Sequence, residues 1–153
     1  MDLILWRHAE AEDGPEDLAR ALTPRGRRQA MRMAQWLKRH LPAPWTVFAS
    51  PARRTQETAE SLHIPFQTQE SCAPGASASA LLGVSGWPEH RGTLVLVGHQ
   101  PTLGRLAALI LTGQEAPWSV RKGAVVWLAA RDREGLAAVQ LRASISPDLL
   151  TES

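Results

Sequence analysis

Residues 93–112, TLVLVGHQPTLGRLAALILT, change their period part-way along. The opening TLVLV is an unbroken apolar run without alternation, which reads as a strand buried on both faces. After GHQP the spacing becomes helical: Leu103, Leu106, Ala107, Ile110 and Leu111 recur every three or four residues. A buried strand feeding directly into an amphipathic helix is the building unit of a parallel sheet covered by helices.

The same unit recurs upstream. Residues 2–7 contain the apolar run Leu3-Ile4-Leu5-Trp6, a short strand. Thr23 suits a helix N-cap and Pro24 the first helical position, so a helix is predicted over 24–41 with Ala30, Met33, Ala34, Leu37 and Leu41 facing inward. TVFA at 46–49 is a second strand, and Ser50-Pro51 repeats the cap-plus-proline signal before a helix running to about Leu62. A Pro-, Gly- and Ser-containing segment follows, with one short helix over 77–84. GAVVWLAA and AAVQLRA, parted by DREG at 132–135, read as a terminal hairpin. The expected fold is α/β: a three-layer αβα sandwich whose central sheet is mostly parallel, with an antiparallel C-terminal hairpin. Nothing in the pattern marks a linker, so one domain over residues 1–153 is expected.

Composition narrows the function. A length of 153 residues with 44% hydrophobic and 21% charged residues fits an ordinary globular protein. The single cysteine, Cys72, allows no internal disulfide and reads as a buried filler. LAALIL at 106–111 is far too short to span a bilayer, and no signal peptide is evident. A cytoplasmic location without membrane partners is expected. Arg25, Arg28, Arg32 and Arg39 fall near one face of the first long helix, but the net charge is only +2 and no aromatic interleaving accompanies them. They read as a solvated face rather than a nucleic-acid surface.

Chemistry gathers where the predicted strands end. Arg7-His8 closes the first strand, Arg53-Arg54 follows the second and His99 follows the strand at 93–97. Ligands of open α/β sheets bind beyond the carboxyl ends of their strands. The second and third of these ends also lead into helix N-termini, which favour anions. An arginine in the first turn of a helix, such as Arg54, can lean back over the strand end. Arginine forks and histidines around one point suit a phosphate group: guanidinium stays charged and binds two oxygens, and a neutral imidazole nitrogen can be a nucleophile. Taken singly, each of these residues has a structural alternative, and His40, His63 and His90 have no supporting context at all.

Four segments together, RH at 7–8, LTPRGRRQA at 22–30, SPARRTQETA at 50–59 and VGHQP at 97–101, resemble the histidine phosphatase superfamily in that family's motif order. The short chain, APGAS at 73–77 and the ending KGAVVWLAARDREGLAAVQLRASISP are most similar to its SixA-type phosphohistidine phosphatases. The resemblance implies a phosphoglycerate mutase-like fold and a phosphatase that needs no metal or other cofactor. It implies that His8 becomes phosphorylated, that Arg7 and Arg54 hold the phosphoryl oxygens, and that His99 donates to the same group. It selects Arg54 over Arg53, because the family arginine lies four residues after the serine of SP. Through the stretch 17–23 it adds Arg20 as a candidate phosphate contact and Asp17 as a candidate acid lining the site.

The chain departs from that pattern at several points. Ala9 stands where Gly is frequent, Ala52 and Thr55 replace the usual residues after SP, and neither Glu70 nor Glu89 matches the glutamate acid of larger members. Glu10, Glu12 and Asp17 are therefore the candidate proton donors. The expected substrate is a phosphohistidine on another protein, for example a phosphotransfer domain. The alternatives are a small phosphorylated metabolite, cleaved by a phosphate-ester phosphatase of the same superfamily, and a non-catalytic anion-binding module. A metal site on His8, Glu10 and Glu12 is disfavoured by the adjacent Arg7 and Arg54.

Overall fold

A computed structural model describes residues 1–133 and 136–150. The chain runs β1 (Asp2–Arg7), α1 (Pro24–His40), β2 (Trp45–Ala49), α2 (Arg53–Glu60), β3 (Gln67–Thr68), α3 (Ala78–Ser85), β4 (Thr93–Gly98), α4 (Thr102–Thr112), β5 (Val125–Arg133) and β6 (Leu136–Ile145). The strands form one six-stranded sheet in the order β3-β2-β4-β1-β5-β6. The first four pair in parallel, and β5 joins β1 and β6 antiparallel. The expected mixed sheet with its C-terminal hairpin is what the chain forms; of the DREG turn, residues 134–135 lie outside the described residues.

Alternation of side chains across the pleat explains the three layers. Leu3 and Leu5 point with Leu94 and Leu96 to one face, where Leu81 of α3 and Leu103 and Leu106 of α4 cover them. Ile4 and Trp6 point with Val95 and Val97 to the other, under Met33, Ala34 and Leu37 of α1 and Ala59 of α2. β1 as far as Trp6 and all of β4 are buried, so neither needs a polar face.

Thr23 caps α1 as predicted, accepting from the Gly26 amide at 2.9 Å. Ser50-Pro51 does not cap α2: the helix starts at Arg53, with Ala52 at the cap position. Ser50 is instead turned inward and fully buried. β3 was not anticipated, since two exposed residues carry no hydrophobic period. Cys72 is buried, and burial pushes its thiol up to about 11, so it stays protonated and inert. Among the described residues, no helix is long and apolar enough to cross a membrane.

Candidate active site

The carboxyl ends of β1, β4 and β2 lie side by side, and each delivers one part of a cluster. His8 follows β1, and its amide donates to the Gly98 carbonyl at the end of β4 at 3.1 Å. His99 follows Gly98. Ser50 follows β2, with its amide on the Val97 carbonyl at 3.1 Å. Arg54, in the first turn of α2, reaches back as the helical lean requires and comes 3.5 Å from His99 Nδ1 through Nη2. The His8 and His99 rings are 5.3 Å apart. His8, Arg54 and His99 are all buried, at 7%, 5% and 4% exposure.

Hydrogen bonds fix how His8 carries its proton. Nδ1 lies 2.8 Å from the Ala9 carbonyl, which can only accept, so Nδ1 bears the hydrogen and Nε2 the lone pair. Burial lowers the His8 pKa to about 4, and the charges of Arg54, Arg7 and Arg20 add to the effect against the Ala9 bond. At neutral pH this is an uncharged imidazole whose Nε2 carries the lone pair. The Ala9 amide donates to Thr58 Oγ1 at 3.1 Å, which holds the turn after His8 on α2.

His99 is likewise kept neutral: burial first, then the neighbouring His8 and Arg54, bring its pKa to about 3. Its Nε2 is 2.7 Å from Ser50 Oγ, which also accepts from the Ala52 amide at 3.1 Å. A hydroxyl can give or take a proton in this bond. With Ser50 accepting, Nδ1 accepts from Arg54; with Ser50 donating, Nδ1 carries the hydrogen and becomes a donor. Sequence reading missed this residue, having assigned Ser50 to a helix cap. Thr55, another departure from the family pattern, donates to the Ser50 and Ala52 carbonyls at 3.0 and 2.7 Å and pins the same turn.

The two arginines share an unusual state. Arg7 Nη1 donates to the Val120 carbonyl at 2.9 Å, and Arg54 Nη1 to the Asp17 carbonyl at 2.8 Å. In both, Nε is buried with no hydrogen-bond partner among the described residues. Buried guanidinium N–H groups without partners are costly, and anion oxygens are the acceptors that would satisfy them. Arg53, by contrast, points outward and pairs with Glu57 at 3.7 Å.

The candidate acids are placed differently from one another. Asp17 pairs with Arg20 at 3.0 Å and Arg54 at 3.2 Å. The Arg20 and Arg54 bonds hold its carboxyl below the usual range, so at neutral pH it is an arginine clamp without a proton to give. Glu10 Oε2 accepts from Thr23 Oγ1 at 2.8 Å and ties the loop to the start of α1. Glu12 lies on the exposed loop, where its carbonyl accepts from Arg20 Nε at 2.8 Å. Arg20 is thus held by both Glu12 and Asp17, and its charge is felt at His8. No three His, Cys, Asp or Glu side chains among the described residues gather in a way that could hold a metal ion, so the set His8, Glu10 and Glu12 does not assemble.

Residues 3–71 match the model of the histidine phosphatase superfamily, branch 1. The chain belongs to that superfamily. A SixA phosphohistidine phosphatase homologue of Haemophilus influenzae is 29% identical over 71% of this histidine phosphatase chain and 76% of its own. A structure from Nakamurella multipartitia designated a SixA phosphohistidine phosphatase shares 28% identity, with a TM-score of 0.76 over 95% of both chains. The protein histidine phosphatase SixA in complex with tungstate superposes with a TM-score of 0.79 over 97% of this chain and 98% of its own, at 24% identity, a likeness of fold. The phosphoglycerate mutase-like architecture expected from the motifs is therefore the one this superfamily member adopts.

Proposed function

We propose that this phosphatase removes phosphoryl groups from histidine side chains of another protein, through a phosphohistidine on His8. One observation carries the proposal: a neutral histidine with its proton fixed on Nδ1 sits between two arginines whose buried Nε groups lack partners among the described residues. In the first step His8 Nε2 forms a bond to phosphorus while the substrate's P–N bond breaks. The departing imidazole leaves neutral if its other ring nitrogen carries a proton, so no protein acid is required. Arg7 and Arg54 hold the equatorial oxygens, where charge accumulates. His99, with Ser50 donating to its Nε2, gives a hydrogen bond to the same group through Nδ1. Water then attacks phosphorus, the His8–P bond breaks, the water proton ends on phosphate, and His8 regains its starting state.

Among the described residues no candidate acid is placed to protonate a leaving group, which supports N–P over O–P cleavage. An alkoxide leaving group needs protonation, and general acid catalysis is worth roughly 10²–10⁴-fold. Asp17 is ionised and Glu10 is engaged with Thr23. The likeness to SixA proteins points the same way. The test compares kcat/KM for a phosphohistidine peptide and for simple alkyl phosphates, with acid-free quenching of labelled enzyme and EDTA present throughout. A preference for the peptide and an acid-labile label on the wild type but not on His8→Ala are expected. A preference for alkyl esters would assign the enzyme to small phosphorylated metabolites; label persisting in His8→Ala would remove His8 from the mechanism.

A further inference from the structure

Beside the phosphoryl pocket, on the same edge of the sheet, lies an open cleft of about 310 Å³ at the ends of β1, β5 and β6. Four cations line it: Arg7, Arg25, Arg121 and Lys122. Two carboxylates, Glu10 and Asp148, face them, so the cleft carries a formal charge of +2. Both are already engaged: Glu10 with Thr23, and Asp148 with Ser146 and, at 3.4 Å, with Arg121. The Arg121–Asp148 pair is exposed on both sides and holds neither partner strongly. Arg25 is placed against the grain of its own helix. It is the second residue of α1, whose first turn contains no acidic residue, so its charge faces the positive end of the helix dipole. Arg7 belongs to both places, lining the cleft while its charge acts on His8.

We infer that this cleft receives acidic side chains flanking the phosphorylated histidine of the protein substrate. The inference rests on the proposed phosphohistidine activity and extends it to substrate choice. Its cations come from three separate segments (the end of β1, the first turn of α1 and the loop at 119–122), an arrangement that suits an extended acidic stretch better than one compact group. Exposed cations of this kind select partners by charge and do so in a salt-dependent way.

Two phosphohistidine peptides test it, identical except that the acidic flanking residues of one are replaced by glutamine and asparagine. With the full-length enzyme at low ionic strength, the acidic peptide should be favoured by about tenfold in kcat/KM, mainly through KM. Added salt should erase the preference. Lys122→Ala should reduce the ratio, and Arg25→Glu/Lys122→Glu should abolish or invert it; damage to the fold alone would lower both peptides together and leave the ratio intact. A wild-type ratio near one, or a ratio unmoved in both variants, would overturn the inference. If neither peptide is hydrolysed while simple phosphate esters are, the phosphohistidine reading is what fails. Comparing 3-phosphoglycerate with glycerol phosphate would then locate the cleft's ligand: a preference for the carboxylate-bearing ester overturns a protein segment in favour of a small molecule.

Discussion

Over β2, β4 and the end of β1, the polar side chains are buried and each is held from behind: His8 by Ala9, His99 by Ser50, Arg54 by Asp17. Over β5 and β6, on the same sheet edge, Arg121 and Asp148 are exposed at 72% and 54%, joined by one weak pair, with Ser146 donating to Asp148. The first arrangement spends burial to fix protonation states and geometry, which phosphoryl transfer requires. The second keeps its charges hydrated and adjustable, which suits steering and selection. Arg7 belongs to both, with its Nε buried and its guanidinium on the Val120 carbonyl.

The contrast breaks most visibly at the adjacent arginines. Arg54→Lys keeps the charge and loses the fork; turnover should fall on the order of 10²-fold, the loss typical of one preorganised contact. Arg53→Lys, changing an exposed partner of Glu57, should stay close to wild type. Equal losses in steady-state assays would mean that burial does not separate the two residues functionally.

A smaller effect should sharpen the account of His99. Ser50→Ala removes the hydroxyl that lets Nδ1 carry a proton, and kcat should drop about tenfold, on the scale of one hydrogen bond. Ser50→Thr should restore much of it. If both variants lose activity alike, packing and not the hydroxyl is what matters at this position.

A third effect concerns pH. His8 and His99 titrate near 4 and 3 in the fold but near 6.5 when free, so the unfolded chain binds more protons between those values. Stability carries no such penalty above about pH 6.5, falls as pH drops through the window, and levels off below the folded pKa values. Melting temperature should therefore decline more steeply from pH 7.5 to 4.5 in wild type than in His8→Gln. A difference of roughly 5–10 °C is expected, because about two pH units of the His8 shift are expressed by pH 4.5, on the order of 2–3 kcal/mol, and each kcal/mol moves a chain of this size by about 2–4 °C. Parallel curves would mean that His8 is not held neutral by its surroundings.

Much of the buried pocket was legible in the sequence. Apolar runs announced β1, β2 and β4, and a residue just past a buried strand has little freedom in where it goes. Ser50 was misread because a serine before proline gives the same signal whether it caps a helix or turns inward to a histidine. The cleft was invisible for another reason. Arg121, Lys122 and Asp148 lie in segments without periodicity, and only the sheet order brings them to Arg25 and Arg7.

That strand order also has a kinetic side. His8 directly follows β1, the first strand of the sheet in chain order, yet the register partners of β1 are Thr93–Gly98 on one side and Val125–Ala129 on the other. Until both have emerged, Leu3, Ile4, Leu5 and Trp6 have no sheet to join, and large loops must close before the pairing repays its entropy. A ribosome-bound chain lacking β5 should leave the apolar edge of β1 unpaired beside the cluster of His8, Arg54 and His99. The arrangement makes activity a late reporter of folding: no N-terminal fragment that stops short of β5 should bind phosphate as the whole chain does, and chaperone demand should peak while that strand is still being made.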